Sequence, residues 1–458
     1  MKNLFKYAAV HWKSLLAIIV ILFVQAYCDL SLPAYTSDIV NVGIQQGGIE
    51  DQVPEAISSE EMDRLLLFVP EEDQQTILDA YEEDSETYDV EAYVLKAAVS
   101  DEEVGEISNL LSGPMMLTAG FESGSEMTQQ IEDQLKANMP AQLVTEDMDI
   151  FGIMEMLPAE QRAMMVEEME NQLDEMPDTI LEQAAVSYVR SAYENLGMDM
   201  DDMQIHYLVT TGGKMVGLAF LGMAASVMVG FLASRVGAET GRDLRNKVFH
   251  KVVGFSNNEF DHFSTASLIT RSTNDIQQIQ LIIVMLLRIV LYAPILAIGG
   301  VVQVFQTNVS MSWIIALAVV LIAMVILVLF VVAMPKFKIL QTLVDKVNLV
   351  TREILTGLSV IRAFSTQKHE EERFDDANRA LTRTNLFVNR AMTFMMPVMM
   401  LVMNGISVLI MWTGAHGIDN GQMQVGDMMA FIQYTMQIIM GFLMLCMLSI
   451  MLPRAAVA

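Results

Sequence analysis

Among the polar side chains within the long apolar stretches of this 458-residue chain, we take six as candidates for binding a ligand there. They are Lys214, Arg288, Gln303, Asn404, Gln433 and Gln437. A charged or amide side chain inside a membrane is costly and usually lines a ligand pathway or a water-filled cavity. Lys214 and Gln303 lie near the ends of their stretches, where a long polar side chain reaches the interface. We therefore take Arg288, Asn404, Gln433 and Gln437 as the candidates for a substrate cavity.

Arg288 lies deeper in its apolar stretch than Lys214 does. Three roles fit a cation at that depth: contact with an anionic substrate, an ion pair with a partner helix, or exposure to a water-filled cleft. The residue type and its position do not choose among these roles.

Six apolar stretches set the topology, because a membrane-spanning helix needs about 20 mostly apolar residues. They cover residues 14–33, 207–234, 279–305, 312–334, 392–416 and 428–452. The short apolar core of the first, 15–24, also fits a signal peptide, but no small-residue cleavage site follows it cleanly, so we expect a retained helix. Six Lys and Arg lie in 235–271 and ten in 336–390, whereas 306–311 and 417–427 contain none. Since basic loops stay cytoplasmic, we expect a multi-pass cell-membrane protein with both termini in the cytoplasm.

The acidic residues are concentrated in one block. The chain has a mean hydropathy of +0.39 and a net charge of -29, with 56 Asp and Glu against 27 Lys and Arg. Residues 50–202 hold 40 of the acidic and five of the basic residues, a net charge of -35, which leaves the remainder mildly basic at +6. The block follows the first span, so it is expected outside the cytoplasm as a separate, compact domain over the outer end of the helices.

This acidic block reads as helical. Ser58 and Glu61 fit a capping box at a helix start, and Gly197 fits a helix end. The acidic cluster at 82–86 lacks the D-x-[DN]-x-[DN]-G pattern of a calcium loop, so we interpret it as a solvated helix face. No metal site is expected.

A further helix is predicted outside the bilayer, after the fourth span. Its apolar residues recur at steps of three and four, which places them on one face of a continuous helix. They are Leu343, Val347, Val350, Ile354, Leu358 and Ile361. At about 1.5 Å per residue, the segment 335–364 could reach roughly 45 Å into the cytoplasm before a charged turn at EILTGLSVIRAFSTQKHEEERF, residues 353–374.

Two cytoplasmic segments carry a family resemblance. GLSVIRAFSTQKHEEERF and GRDLRNKVFHKVVGFSNNEFDHFSTASLITRSTNDIQQI resemble the two coupling loops in the membrane domain of multidrug-type ABC exporters, and LPAYTSDIVNVGI is similar to the end of that family's first helix. The resemblance covers both flanks of the acidic block and nearly all of residues 205–458. The chain departs from the family pattern at Gln367, where the family often has Glu; Glu370 matches the next acidic position.

The resemblance implies that two short helices, near 257–263 and 365–371, dock on nucleotide-binding domains. The docking residues would be Asn257, Asn258, Glu259, Phe260, Asp261, Phe364, Gln367 and Glu370. ATP and Mg²⁺ would be bound by those domains, because this chain has no G-x-x-x-x-G-K-[ST] phosphate loop, and TGGKM at 211–215 lacks the spacing and the hydroxyl residue. Whether the chain is itself an enzyme stays open: the ATPase domain would follow on a longer chain or belong to a separate subunit.

The expected fold is an all-α membrane protein with six transmembrane helices, long cytoplasmic extensions and an inserted helical extracytoplasmic domain. The expected boundaries are 1–45 for the N-terminus and first helix, 46–204 for the acidic domain, and 205–458 for helices two to six. The resemblance implies an exporter subunit that moves a drug-like, lipid or peptide substrate as a heterodimer or homodimer in the lipid bilayer, with no nucleic-acid partner. The alternative is a membrane-anchored extracytoplasmic binding or adhesion protein, for which the long cytoplasmic helices would be superfluous.

Overall fold

Long helices dominate the computed structural model, which describes residues 11–84, 88, 90–123, 150–173, 176–256, 265–307 and 309–457. The α-helices of this part are α1 (Trp12–Asp38), α2 (Ser59–Leu66), α3 (Glu71–Ala80), α4 (Asp101–Ser123), α5 (Ile150–Met156), α6 (Ala159–Leu173), α7 (Asp178–Asn195), α8 (Met200–Val253), α9 (Thr265–Thr270), α10 (Ile276–Met285), α11 (Tyr292–Thr307), α12 (Ser312–Thr356), α13 (Leu358–Ala363), α14 (Gln367–Asp419) and α15 (Val425–Val457). Wider π-helical turns occupy Ile39–Gln45, Arg271–Asp275 and Leu286–Val290, and a 3₁₀ turn covers Val309–Met311.

Six of these helical stretches are long and apolar enough to cross a membrane, which confirms the six predicted spans. In chain order we call them spans 1 to 6: Trp12–Gln45, Met200–Val253, Ser267–Thr307, Val309–Thr356, Gln367–Asp419 and Val425–Leu445. Five of them exceed the length that a bilayer requires, so most of the spans extend beyond its apolar core.

The chain divides into two compact units. The long-helix unit contains Met1–Leu30, Gly222–Trp412 and Ile432–Ala458, and the acidic unit contains Ser31–Leu221 and Thr413–Phe431. Besides the acidic block, the acidic unit contains the ends of spans 1, 2, 5 and 6. The domain boundaries expected from the sequence remain a prediction.

Two apolar clusters hold the long-helix unit together. Ile18, Val229 and Ile283 belong to a buried cluster shared by spans 1, 2 and 3. Ile322 and Ile439 belong to a second cluster, shared by spans 4, 5 and 6. Apolar contacts of this kind therefore contribute to the packing of each group of three spans.

Span 1 is longer than its apolar sequence suggests. The predicted stretch ends at Pro33, but the helix passes through this residue and continues as π-helical turns to Gln45. Proline removes one backbone donor and crowds the preceding turn, and such sites are often accommodated by locally wider turns and by other hydrogen bonds.

The described part of the acidic unit is largely helical, as predicted, but it also contains a small sheet. A three-stranded antiparallel sheet in the order β1–β3–β2 is formed by β1 (Ala56–Ser58), β2 (Tyr81–Asp84) and β3 (Ala92–Leu95). The predicted helix face at 82–86 therefore begins as a strand, in which Glu82 and Glu83 are exposed. Short strands of this kind take their stability from pairing with distant residues, which local patterning does not reveal.

The helix ends of the acidic unit follow the sequence signals. Ser58 accepts a hydrogen bond from the backbone N–H of Glu61 at 3.2 Å and its hydroxyl donates to the Glu61 carboxylate at 2.8 Å, which confirms the predicted helix start at Ser58. Gly197 follows α7 with φ +75°, a conformation that favours glycine at a helix end. Burial raises the pKa of the Tyr188 and Tyr193 hydroxyls in the core of this unit, so both stay neutral at ordinary pH.

Candidate functional site: a membrane cavity and the turn after span 4

A cavity of about 600 Å³ lies within the long-helix unit, among spans 1, 2, 3 and 6. Its apolar wall consists of aliphatic and methionine side chains, and a minority of polar groups interrupts it. The described lining residues are Leu22, Gln25, Ser226, Val229, Ser234, Gln280, Leu281, Val284, Met285, Arg288, Ile289, Tyr292 and Met444. A mostly apolar cavity of several hundred Å³ with a few polar groups is typical of small-molecule sites.

Arg288 is the charged residue of this lining. Its side chain is exposed within the chain, and none of the ion pairs between described residues includes it. Gly230 of span 2 lies beside the guanidinium: a Cβ at that position would be 3.9 Å from Cζ of Arg288. The structure thus places one of the four predicted cavity residues in a cavity.

Asp29 of span 1 is a functional candidate that the sequence analysis missed. The Tyr292 hydroxyl donates a hydrogen bond to Oδ2 of Asp29, and the Gln25 side chain interacts with the same hydroxyl. The Gln437 amide donates to the Asp29 backbone oxygen at 2.8 Å. These bonds connect spans 1, 3 and 6 through polar groups at one level of the helices. The sequence signal that could have identified Asp29 is a carboxylate that closely follows the apolar core of the first stretch.

The remaining predicted cavity residues are placed differently. Gln437 binds the span 1 backbone as described, and its Oε1 atom is buried without a hydrogen-bond partner among the described residues. Asn404 is exposed on span 5, and Gln433 is partly buried on span 6; neither lines the cavity of Arg288. Their role in a substrate cavity remains a prediction.

Lys214 lines a second cavity, of about 680 Å³, within the acidic unit. Its lining includes five carboxylates, from Glu50, Asp51, Glu55, Asp199 and Asp202. Lys214 is exposed there, which agrees with a side chain that reaches the aqueous phase rather than a buried membrane charge.

The cytoplasmic turn predicted after span 4 differs from expectation in its helices. The continuous helix is interrupted at Gly357, and the short separate helix is α13, which precedes the turn; residues 365–371 do not form a helix of their own, since α14 starts at Gln367. Along the predicted apolar stripe Val350 is buried, whereas Leu358 in α13 is exposed.

Phe364 is a strongly exposed apolar side chain at this turn. Phe364 is 76% exposed, and Ser365 has φ +53°, a left-handed conformation that is uncommon outside glycine. Arg373 of α14 pairs across the turn with Glu353 of α12 at 2.5 Å, and within α14 it pairs with Glu370 at 3.3 Å. The other predicted docking residues, Asn257, Asn258, Glu259, Phe260 and Asp261, lie outside the described residues.

A buried polar junction joins the end of span 1 to the start of span 6 within the acidic unit. Oδ1 of Asp427 accepts hydrogen bonds from the Ser37 hydroxyl at 2.8 Å and from the Asn41 amide at 3.2 Å. Oδ2 accepts from the backbone N–H of Gln424 at 3.2 Å, and Asn41 Oδ1 accepts from the Gly426 N–H at 2.7 Å. Ser37 and Asn41 are buried, so water replaces these partners poorly.

Substituting Asp427→Ala is expected to lower the free energy of unfolding of the full chain by about 1–3 kcal/mol, because it removes an acceptor from three donors, two of them on buried side chains. Thermal unfolding of the detergent-purified protein measures the change. Asp419→Ala, an exposed position near the end of α14, is the control and should change stability little. Equal losses of stability from the two substitutions would contradict the stabilising role of Asp427 at the polar junction.

The comparisons with known proteins agree with this arrangement. A family model described as the ABC transporter transmembrane region matches residues 179–442. The chain belongs to this ABC transporter family. It is therefore a multi-pass membrane protein of a transport system, and its cavity and turn belong to an ABC transmembrane region.

Curated relatives extend well beyond the matched region. An uncharacterized ABC transporter ATP-binding protein of Mycobacterium tuberculosis is 36% identical over 250 residues, which cover 55% of this chain and 43% of the relative. An uncharacterized ABC transporter ATP-binding protein of Bacillus subtilis is 35% identical over 249 residues, which cover 53% of this chain and 43% of the relative. An ATP-dependent lipid A-core flippase of Pseudomonas fluorescens is 26% identical over 211 residues, 45% and 34% respectively. The chain spans less than half the length of the curated relatives it matches.

Proposed function

We propose that this ABC transmembrane region is the substrate-conducting part of an ATP-driven exporter that works by alternating access as a dimer. The observation that carries the proposal is the combination of an intramembrane cavity at Arg288 with a protruding turn at Phe364 in one transmembrane unit. The cavity supplies a binding site, and the turn supplies an apolar contact through which a nucleotide-binding domain could move the spans. Relatives named as ATP-binding proteins support the use of ATP in this family.

The division of labour follows from the residues. The chain contains no phosphate loop, so ATP and Mg²⁺ are assigned to nucleotide-binding domains, either on a longer form of this chain or on a partner. The partner half is a second copy or a related chain. We place both termini and the turn at Phe364 in the cytoplasm on the strength of the Lys and Arg distribution, and residues 46–204 outside it.

Alternating access predicts that the side of the membrane from which the cavity is reached changes with nucleotide. In a Cys28→Ala, Cys446→Ala background, a Ser226→Cys substitution places a single thiol in the cavity lining. With nucleotide-binding domains supplied, a membrane-impermeant maleimide should label this thiol from the cytoplasmic side without nucleotide. Holding the nucleotide-binding domains in their ATP-bound state should lower labelling from the cytoplasmic side by about tenfold. It should also permit labelling from the opposite side of the membrane.

The control thiol for this experiment is Met429→Cys, an exposed position near the start of α15 and outside the cavity lining. Its labelling should not exchange sides with nucleotide. If Ser226→Cys were labelled from one side under every condition, alternating access would be excluded, and a membrane-anchored binding protein would be the better account.

A further inference from the structure

We propose that the cavity of Arg288 selects an amphipathic anion, with the anionic group at the guanidinium and an alkyl chain along the apolar wall. This inference deepens the proposed function, on which it rests for the direction of movement but not for binding. It names a substrate class for the cavity rather than an individual compound.

The first argument for an anionic ligand is the net positive charge of the cavity lining. Among its described lining residues, Arg288 is charged and none is Asp or Glu. No described ion pair neutralises its guanidinium. A cation in an apolar environment is strongly stabilised by an anion that binds there, and guanidinium forms paired hydrogen bonds with carboxylate or phosphate oxygens. A cationic substrate would meet an uncompensated positive charge instead.

Asp29 is the carboxylate that bonds to a residue of this lining, and its partner there is Tyr292 rather than Arg288. Its Oδ2 atom accepts the Tyr292 hydroxyl hydrogen bond, and Asp29 is not among the lining residues. Tyr292 therefore lies between the carboxylate and the cavity, with its hydroxyl bound to Asp29.

The second argument, for an alkyl chain on the ligand, is the apolar surface of the lining. Seven lining residues are apolar: Leu22, Val229, Leu281, Val284, Met285, Ile289 and Met444. Free inorganic anions would leave this surface unused, whereas an alkyl chain gains about 0.8 kcal/mol for each methylene that it buries. Methionine side chains adapt to ligands of different shape, so the wall suits a flexible chain.

Access to the guanidinium depends on Gly230. A Cβ at this position would be in ordinary contact with Cζ of Arg288 at 3.9 Å, so the hydrogen of glycine leaves that side of the cation uncovered. A larger side chain there would cover the cation without changing its charge. Gly230 is thus a specificity-determining position that can be tested separately from Arg288.

Displacement of a fluorescent probe, 11-(dansylamino)undecanoate, from the full chain in phosphatidylcholine nanodiscs tests the proposal without any ATPase domain. Hexadecanoate should displace the probe at least about tenfold more effectively than hexadecanol, hexadecyltrimethylammonium or inorganic phosphate. Arg288→Gln should weaken hexadecanoate binding by about tenfold and leave hexadecanol binding nearly unchanged. Arg288→Lys should retain most of the preference for hexadecanoate over hexadecanol.

Three further substitutions distinguish access to the guanidinium from a general loss of positive charge. Gly230→Leu should weaken hexadecanoate binding about as much as Arg288→Gln, because it covers the guanidinium, whereas Gly230→Ala should bind like the unmodified chain. Arg379→Gln is the matched charge control, since Arg379 is 76% exposed and pairs with Asp375 outside the cavity. Thermal unfolding in the same nanodiscs identifies any variant that fails to fold.

Adding phosphatidylglycerol to the nanodiscs distinguishes the source of the anion. If this anionic lipid displaces the probe, the natural ligand is a bilayer lipid; if it does not, the ligand is a free amphiphile. Either result supports an amphipathic anion as the substrate class. Equal displacement by hexadecanol and hexadecanoate, stronger displacement by the ammonium compound, or unchanged binding in both Arg288→Gln and Gly230→Leu would overturn it. Such a failure would leave the exporter proposal standing with another substrate, because alternating access is measured by thiol labelling and not by this assay.

Discussion

Replacing Phe364 with Ala is expected to reduce ATP-driven transport by at least about tenfold while the chain still folds and inserts in the membrane. The ring is 76% exposed, so its removal costs the isolated chain little packing energy. A large apolar side chain at the tip of a turn is well suited to fill a groove on a nucleotide-binding domain. The measurement compares transport with ATP hydrolysis in the assembled transporter: hydrolysis should continue while transport is lost.

The second half of this prediction concerns Glu370, which lies in the first helical turn of α14. Its ion pair with Arg373, together with the Arg373–Glu353 bond, connects α14 to the end of α12. Glu370→Ala should therefore uncouple less than Phe364→Ala, because exposed ion pairs contribute modestly. Leu355→Ala is the control, since Leu355 is also exposed, at 68%, but lies on α12 before the turn. Unchanged transport in the Phe364→Ala, Glu370→Ala double variant would identify the turn as a solvated loop.

Deleting residues 50–202 and joining the ends with a short flexible linker is expected to preserve coupling between ATP hydrolysis and transport but to change substrate release. The deleted block carries a net charge of -35 and is connected at both ends to spans 1 and 2. Such a charge attracts cations and repels anions nearby. At low salt, the intact chain should release an anionic substrate several-fold faster than the deletion variant, on the order of three- to tenfold.

Salt and a charge-reduced variant provide the controls for this deletion. The difference should shrink as ionic strength rises, because the screening length falls from about 30 Å at 0.01 M to about 3 Å at 1 M. Substituting five exposed carboxylates with Gln, at Glu72, Glu82, Glu83, Glu102 and Glu106, keeps the block in place and should give an intermediate release rate. If the deletion variant released every substrate at the intact rate, at low and high salt alike, the block would have no part in release.

Features that depend on local sequence were predictable, and those that depend on distant pairing were not. Apolar length located all six spans, and the Ser58–Glu61 pattern located a helix start. The sheet was missed because β1 pairs with β3 across α2, α3 and β2, and because the acidic residues of Tyr81–Asp84 also suit a helix surface.

The same distinction applies to the candidate site. Arg288 stands out in sequence as a charge within an apolar run, so its position in a cavity was predictable. Asp29 and Tyr292 are separated by 263 residues, and neither marks the other in the sequence. The interruption at Gly357 was missed because the apolar stripe continues past it to Ile361 with helical spacing.

The π-helical turn at Leu286–Val290 has a consequence for how span 3 faces its cavity. Gln280, Val284, Arg288 and Tyr292 all line the cavity at intervals of four residues. In a regular α-helix each such interval overshoots a full turn by about 40°, so four residues in this series would spiral away from a straight line. The wider turn at 286–290 cancels part of that overshoot. The angular phase of Tyr292 relative to Gln280 is therefore set by backbone winding. Rewinding these five residues as regular helix would rotate Tyr292 away from Asp29 without altering any side chain.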